Sequence, residues 1–170
     1  IFSFFYICST SLLSQDFPKI FGCFCEGGVI LGKVKKSDFI KIMEYGYKKI
    51  IDGELEKVEG MLRERLMENG FGVITEINIR EKLEEKLGVD FRDYKILGSC
   101  HPPSAFESLE VDLNVGMLLP CNFVIWDNMD GSVTIATLKA TSLLSVLQNK
   151  ELNEVGLKVD ELVTSVMKSF

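Results

Sequence analysis

The run Gly116-Met117-Leu118-Leu119-Pro120-Cys121-Asn122-Phe123-Val124-Ile125-Trp126 limits what this chain can become more than any other stretch. Its last four residues are strong β-formers and lead straight into Asp127-Asn128-Met129-Asp130-Gly131. That segment is turn chemistry, because Gly tolerates positive φ and Asx side chains bond nearby backbone. A second β-rich run follows at Ser132-Val133-Thr134-Ile135-Ala136-Thr137-Leu138. The pair predicts a hairpin at the centre of a sheet. Apolar residues at successive positions of the first strand predict cover, at least in part, on both faces. Helices must provide that cover.

The rest of the chain supplies them. Tyr45 to Ile51 reads as a first strand, with Asp52 as the N-cap of a helix carrying Leu55, Val58, Leu62 and Leu66 inward. Glu54, Glu56, Glu59, Arg63 and Glu64 fall on its outer side, with Glu59 and Arg63 at i, i+4. Asn69-Gly70 ends the helix. A strand at 71–77 follows, then Asn78 as the cap of a short helix with an Ile79, Leu83, Leu87 stripe, stopped by Gly88. Tyr94 to Cys100 reads as a strand broken by His101-Pro102-Pro103. Pro103 suits the first turn of a helix that sends Phe106 and Leu109 inward and ends near Asp112. After the hairpin come helical segments at 140–148 and 152–170, the second clearly amphipathic.

Residues 1–42 have a different composition. They hold seven of the twelve Phe. Ile1 to Leu13 is apolar but too short to span a bilayer, and no basic segment precedes it. The expected organisation is an N-terminal extension over 1–42 and one α/β domain over 43–170, with the extension dispensable for folding. No membrane partner is expected for residues 43–170. A net charge of −6 repels phosphate backbones, so no nucleic-acid partner is expected either. The five Cys are odd in number and lack framework spacing: Cys8, Cys23 and Cys25 lie early, Cys100 and Cys121 in the body. Cys100 and Cys121 are expected to be thiols in a reducing, cytoplasmic compartment.

Three stretches recur together in a known family: Gly70-Phe71-Gly72-Val73-Ile74-Thr75-Glu76-Ile77, Tyr94-Lys95-Ile96-Leu97-Gly98-Ser99-Cys100-His101-Pro102-Pro103, and Gly116-Met117-Leu118-Leu119-Pro120-Cys121-Asn122. Leu83, Lys86-Leu87-Gly88 and Val89-Asp90-Phe91-Arg92 fit the same pattern between the first two. Over 43–170 the chain resembles the domain of unknown function 302 family. The resemblance implies an α+β, two-layer sandwich, a mainly antiparallel sheet packed against helices, in a small homodimer. It brings no assigned activity. The family often has Asn where this chain has His101, and His where it has Phe106, so chemistry relying on that His is not expected here.

The candidate site gathers Cys100, His101 and Cys121, with Glu76 as a strand-end base or polar anchor. If their strands are neighbours, both thiols sit at one rim of the sheet. A useful thiolate needs a lowered pKa, and the helix starting at Pro103 offers its N-terminus to Cys100. Cys100 is therefore expected to react faster than Cys121. The alternative is that both thiols only pack, as Cys often does. His101, the only His, is either a partner for Cys100 or a loop residue before a diproline. Cys100, His101 and Cys121 lack CxxC spacing, so no metal is expected. No cofactor is specified by these residues. Gly70-Phe71-Gly72 follows a helix rather than opening one and has no P-loop Lys. Phe123 and Trp126 are expected in the core. Two functions stay open: a small-ligand or thiol module at Cys100 and Cys121, or a non-catalytic homodimeric interaction domain.

Overall fold

The computed structural model describes residues 41–170. The expectations for the apolar start of the chain and for Cys8, Cys23 and Cys25 concern residues outside that range. Among the described residues the first strand is β1 (Lys41–Ile42), just before the expected boundary at Met43. There follow β2 (Gly46–Asp52), α1 (Leu55–Glu68), β3 (Gly72–Asn78), α2 (Ile79–Leu87), β4 (Tyr94–Cys100) and α3 (Pro102–Val111). A 3-10 turn (Leu113–Met117) leads to β5 (Cys121–Asp127) and β6 (Ser132–Leu138). Then come α4 (Ala140–Leu144), a second 3-10 turn (Ser145–Leu147) and α5 (Lys150–Lys168). The strands pair antiparallel in the order β1-β2-β6-β5-β4-β3. This is the expected α+β fold, with the β5–β6 hairpin as the central pair.

The hairpin turn is built from the expected chemistry. Asp127 Oδ1 accepts from Met129 N at 2.6 Å, and Asp130 Oδ1 accepts from Ser132 N at 3.1 Å. Met129 and Gly131 both adopt positive φ.

Strand alternation sorts the sheet into two unlike faces. Tyr47, Leu97, Phe123, Ile125, Val133 and Ile135 are buried on one of them. They pack with Leu55, Val58, Leu62 and Leu66 of α1 and Val159, Val163 and Val166 of α5. Each such side chain contributes roughly 1.5–3 kcal/mol by leaving water. Val115, Leu144 and Leu152 form a smaller cluster, against which Leu109, Leu118 and Leu119 pack.

Several local expectations are corrected by packing. Asp52 pairs with Ser132 as the last residue of β2, so it is not the cap of α1, whose N-cap Glu54 makes no side-chain cap bond. Glu59 is buried rather than on the outer side. The α2 stripe is only half-buried at Ile79 and Leu83, and Leu87 stays 69% exposed. On α3 the buried residues are Ser104 and Ser108, while Phe106 is 67% exposed. The helix turns its small side inward, with Ser108 Oγ donating to the Ser104 carbonyl at 2.8 Å. The strand at β5 is covered by the core on one face only, because Val124 and Trp126 stay half-buried and Asn122 is exposed. Among the described residues, no helix is long and apolar enough to cross a membrane.

Candidate functional site

Cys100 closes β4 and Cys121 opens β5, and these strands are neighbours with Ser99 directly opposite Cys121. Both cysteines are free thiols. They line one crevice of about 40 Å3 together with His101, Ser104, Phe71 and Leu119. The structure thus brings Cys100, His101 and Cys121 to one place. A space of that size holds a water molecule or two, against roughly 300–1,000 Å3 for a small-molecule site.

The residues around it are occupied by structural work. His101 is the N-cap of α3, and its Nδ1 accepts from Ser104 N at 3.4 Å and lies 2.9 Å from Ser104 Oγ. Its ring packs on Phe71, with centroids 5.5 Å apart. Gly70 makes room beneath it: its φ is +78°, and a Cβ there would lie 3.1 Å from His101 Cδ2. Of the two readings of His101, the structure supports the residue at the diproline break, where it forms a His–Ser cap rather than a pair with Cys100.

The expected lowering of the Cys100 pKa is also corrected, since burial pushes the thiol up. The helix N-terminus fails as a counterweight for a specific reason. Pro102 and Pro103 have no N–H to offer. The next two donors are spent, Ser104 N on His101 Nδ1 and Ala105 N on the His101 carbonyl at 3.0 Å. Cys121 is pushed further, to about 11, by burial first, then by the neighbouring Cys100 and by Asp160. Asp160 was not legible as a participant. It holds the start of α4, accepting from Ala140 N at 2.7 Å and Thr141 N at 3.3 Å, and its partners lie far away in sequence.

Glu76 is not part of this crevice. It belongs to an alternating charge cluster on the helix side of β3 and β4. Arg63 bridges Glu59 at 2.7 Å and also bonds Glu76. Lys95 bridges Glu59 at 2.8 Å and Glu76 at 3.2 Å. Burial alone raises the Glu59 carboxyl, but the bonds and charges of Lys95 and Arg63 hold it below the usual range. Among the described residues, no group of three or more His, Cys, Asp or Glu is placed to hold a metal ion.

A second feature lies on the other face of the sheet and was missed from the sequence. One row across it is Lys48, Ala136, Val124, Ile96 and Ile77; the next is Ile50, Thr134, Trp126 and Tyr94. Tyr94 and Trp126 stack with centroids 5.7 Å apart and planes 5° apart, and Lys48 Nζ lies 5.1 Å from the Trp126 ring centre. Phe91 extends the aromatic strip against Tyr94. Ile77 is 45% and Leu138 49% exposed there. Trp126 is thus on the open face, whereas Phe123 is in the core as expected. The face is hollowed by about 580 Å3, and Cys121, Leu118 and Leu119 lie between this hollow and the crevice, lining both.

Comparison with known proteins gives concordant results. The family model described as Domain of unknown function DUF302 matches residues 47–170. A solved structure titled as that of an uncharacterized conserved protein DUF302 from Bacillus stearothermophilus is similar at 28% identity and a TM-score of 0.68. The similarity covers 74% of this chain and 97% of that one. No curated protein matches.

Proposed function

The chain belongs to the DUF302 family, and from that premise we propose that the domain is a homodimeric interaction module whose open sheet face is covered by a second copy. The observation that carries this reading is the composition of that face. Its two central rows hold Ile50, Ile77, Ile96, Val124, Tyr94 and Trp126, with Lys48 as their one charged residue. An apolar patch of such extent on a soluble domain marks an interaction surface. Five seven-residue strands present a flat footprint of roughly 550 Å2, and more with side-chain relief, which approaches the ~800 Å2 per partner of a stable interface.

The thiol reading gains less support. Both thiols stay protonated near neutral pH, His101 is committed to capping, and the crevice is too small for a ligand. Free thiols at Cys100 and Cys121 suit a reducing, cytoplasmic setting. The net charge of −6 favours neither nucleic acid nor an anionic membrane surface as partner.

Light scattering of the full chain at micromolar concentration tests the proposal. The expected mass is twice 19.1 kDa. Ile77→Lys places a charge on an exposed part of the face outside the hollow and is expected to give single chains with an unchanged far-ultraviolet dichroism spectrum. Single chains for the unaltered protein would refute the proposal.

A further inference from the structure

The open face is concave, and two concave faces related by a two-fold axis do not fill each other. The floor of the hollow includes Lys48, Val124 and Ala136, and Met43, Tyr45 and Met117 stand among its walls. At about 580 Å3 it lies within the ~300–1,000 Å3 typical of small-molecule sites. A second copy seated on the walls would enclose this space. Resting on the dimer reading, the argument then turns on Lys48. Its ammonium lies near the Trp126 ring and forms no ion pair among the described residues. Enclosure removes water from a cation, and a desolvated cation requires a counter-charge.

We infer that the hollow binds the carboxylate of an alkyl acid, with the head group on Lys48 and the chain along Val124, Ala136 and Leu138. The Trp126 ring is already engaged by Tyr94 and Lys48, so the body of the ligand lies on the aliphatic part of the lining. The side chains there carry methyl and methylene groups that suit a flexible chain rather than a flat ring.

Titration calorimetry of the full chain with submillimolar decanoate tests this, with light scattering of the same samples. Decanoate is expected to bind, Lys48→Arg to retain it, and Lys48→Met to bind at least about tenfold more weakly at unchanged dimer mass. Decyltrimethylammonium, with the same chain and opposite charge, is expected not to bind. A dimer that takes up no decanoate overturns the inference and leaves the dimer reading intact. Equal binding by Lys48→Met, or binding of the cationic analogue, also overturns it. Single chains in the scattering overturn the dimer reading and with it the enclosure argument.

Discussion

Pro120 lies against the bare backbone of Gly98. A Cβ at Gly98 would sit 2.7 Å from Pro120 Cγ and 2.1 Å from Thr75 Oγ1. Three strands meet at this point: Gly98 is on β4, Thr75 is its partner on β3, and Pro120 directly precedes β5. The Leu119–Pro120 peptide is cis.

Gly98→Ala is therefore expected to cost about 1–3 kcal/mol by overpacking. Urea unfolding at neutral pH measures it. Thr75→Ala in the same chain should recover only part of the loss, because Pro120 remains in the way.

Glu59 gives an acid-side prediction. Its pKa is lowered in the folded state from 4.5. A lowered carboxyl contributes stability above the unfolded value and loses it as pH falls through the folded one. Stability should fall as pH drops below 4.5, and Glu59→Gln should flatten that limb. At neutral pH the substitution is expected to cost about 1–3 kcal/mol, since Arg63 and Lys95 lose the negative charge and one of them meets an amide NH2 in place of an acceptor oxygen. Unfolding curves at a series of pH values measure both.

Cys121 gives the alkaline counterpart. Its thiol is raised from 9.0 to about 11 in the folded state. A raised group contributes fully below the unfolded pKa and loses its contribution as pH rises through the folded one. The window is thus pH 9.0 to about 11, with a loss on the order of 3 kcal/mol. Cys121→Ala should flatten this limb. Timed iodoacetamide labelling with peptide mapping should find Cys100 and Cys121 both slow at neutral pH, with Cys121 the slower.

How much was legible in the sequence depended on what set each feature. The strands at Tyr94–Cys100 and Ser132–Leu138 were read to the residue, because Pro102 and the Asx-Gly turn fix their ends locally. The α+β class was what the family resemblance implied, and the sheet and helices bear it out. Asp52 was misread because cross-strand pairing with Ser132, not local capping chemistry, decides its role. Phe106 was misread because helical spacing does not say which stripe faces inward. Glu59 looked like a solvated charge since its partner Lys95 lies 36 positions away. The convergence of Cys100 and Cys121 was legible, but the two prolines that strip α3 of donors were read only as a helix start. Successive apolar residues in β5 predicted at least partial cover on both faces, and Val124 and Trp126 on the second face are half-buried.

The central claim is that the open sheet face is buried by self-association, and Trp126, the only tryptophan, sits on it. Acrylamide quenching of its fluorescence, followed with light scattering across a dilution series, reads that face directly. The account predicts that quenching weakens as the mass rises from one chain to two, and that Ile77→Lys keeps the strong quenching of the single chain at every concentration. A doubled mass with unchanged quenching of Trp126, or a single-chain mass throughout, would contradict it.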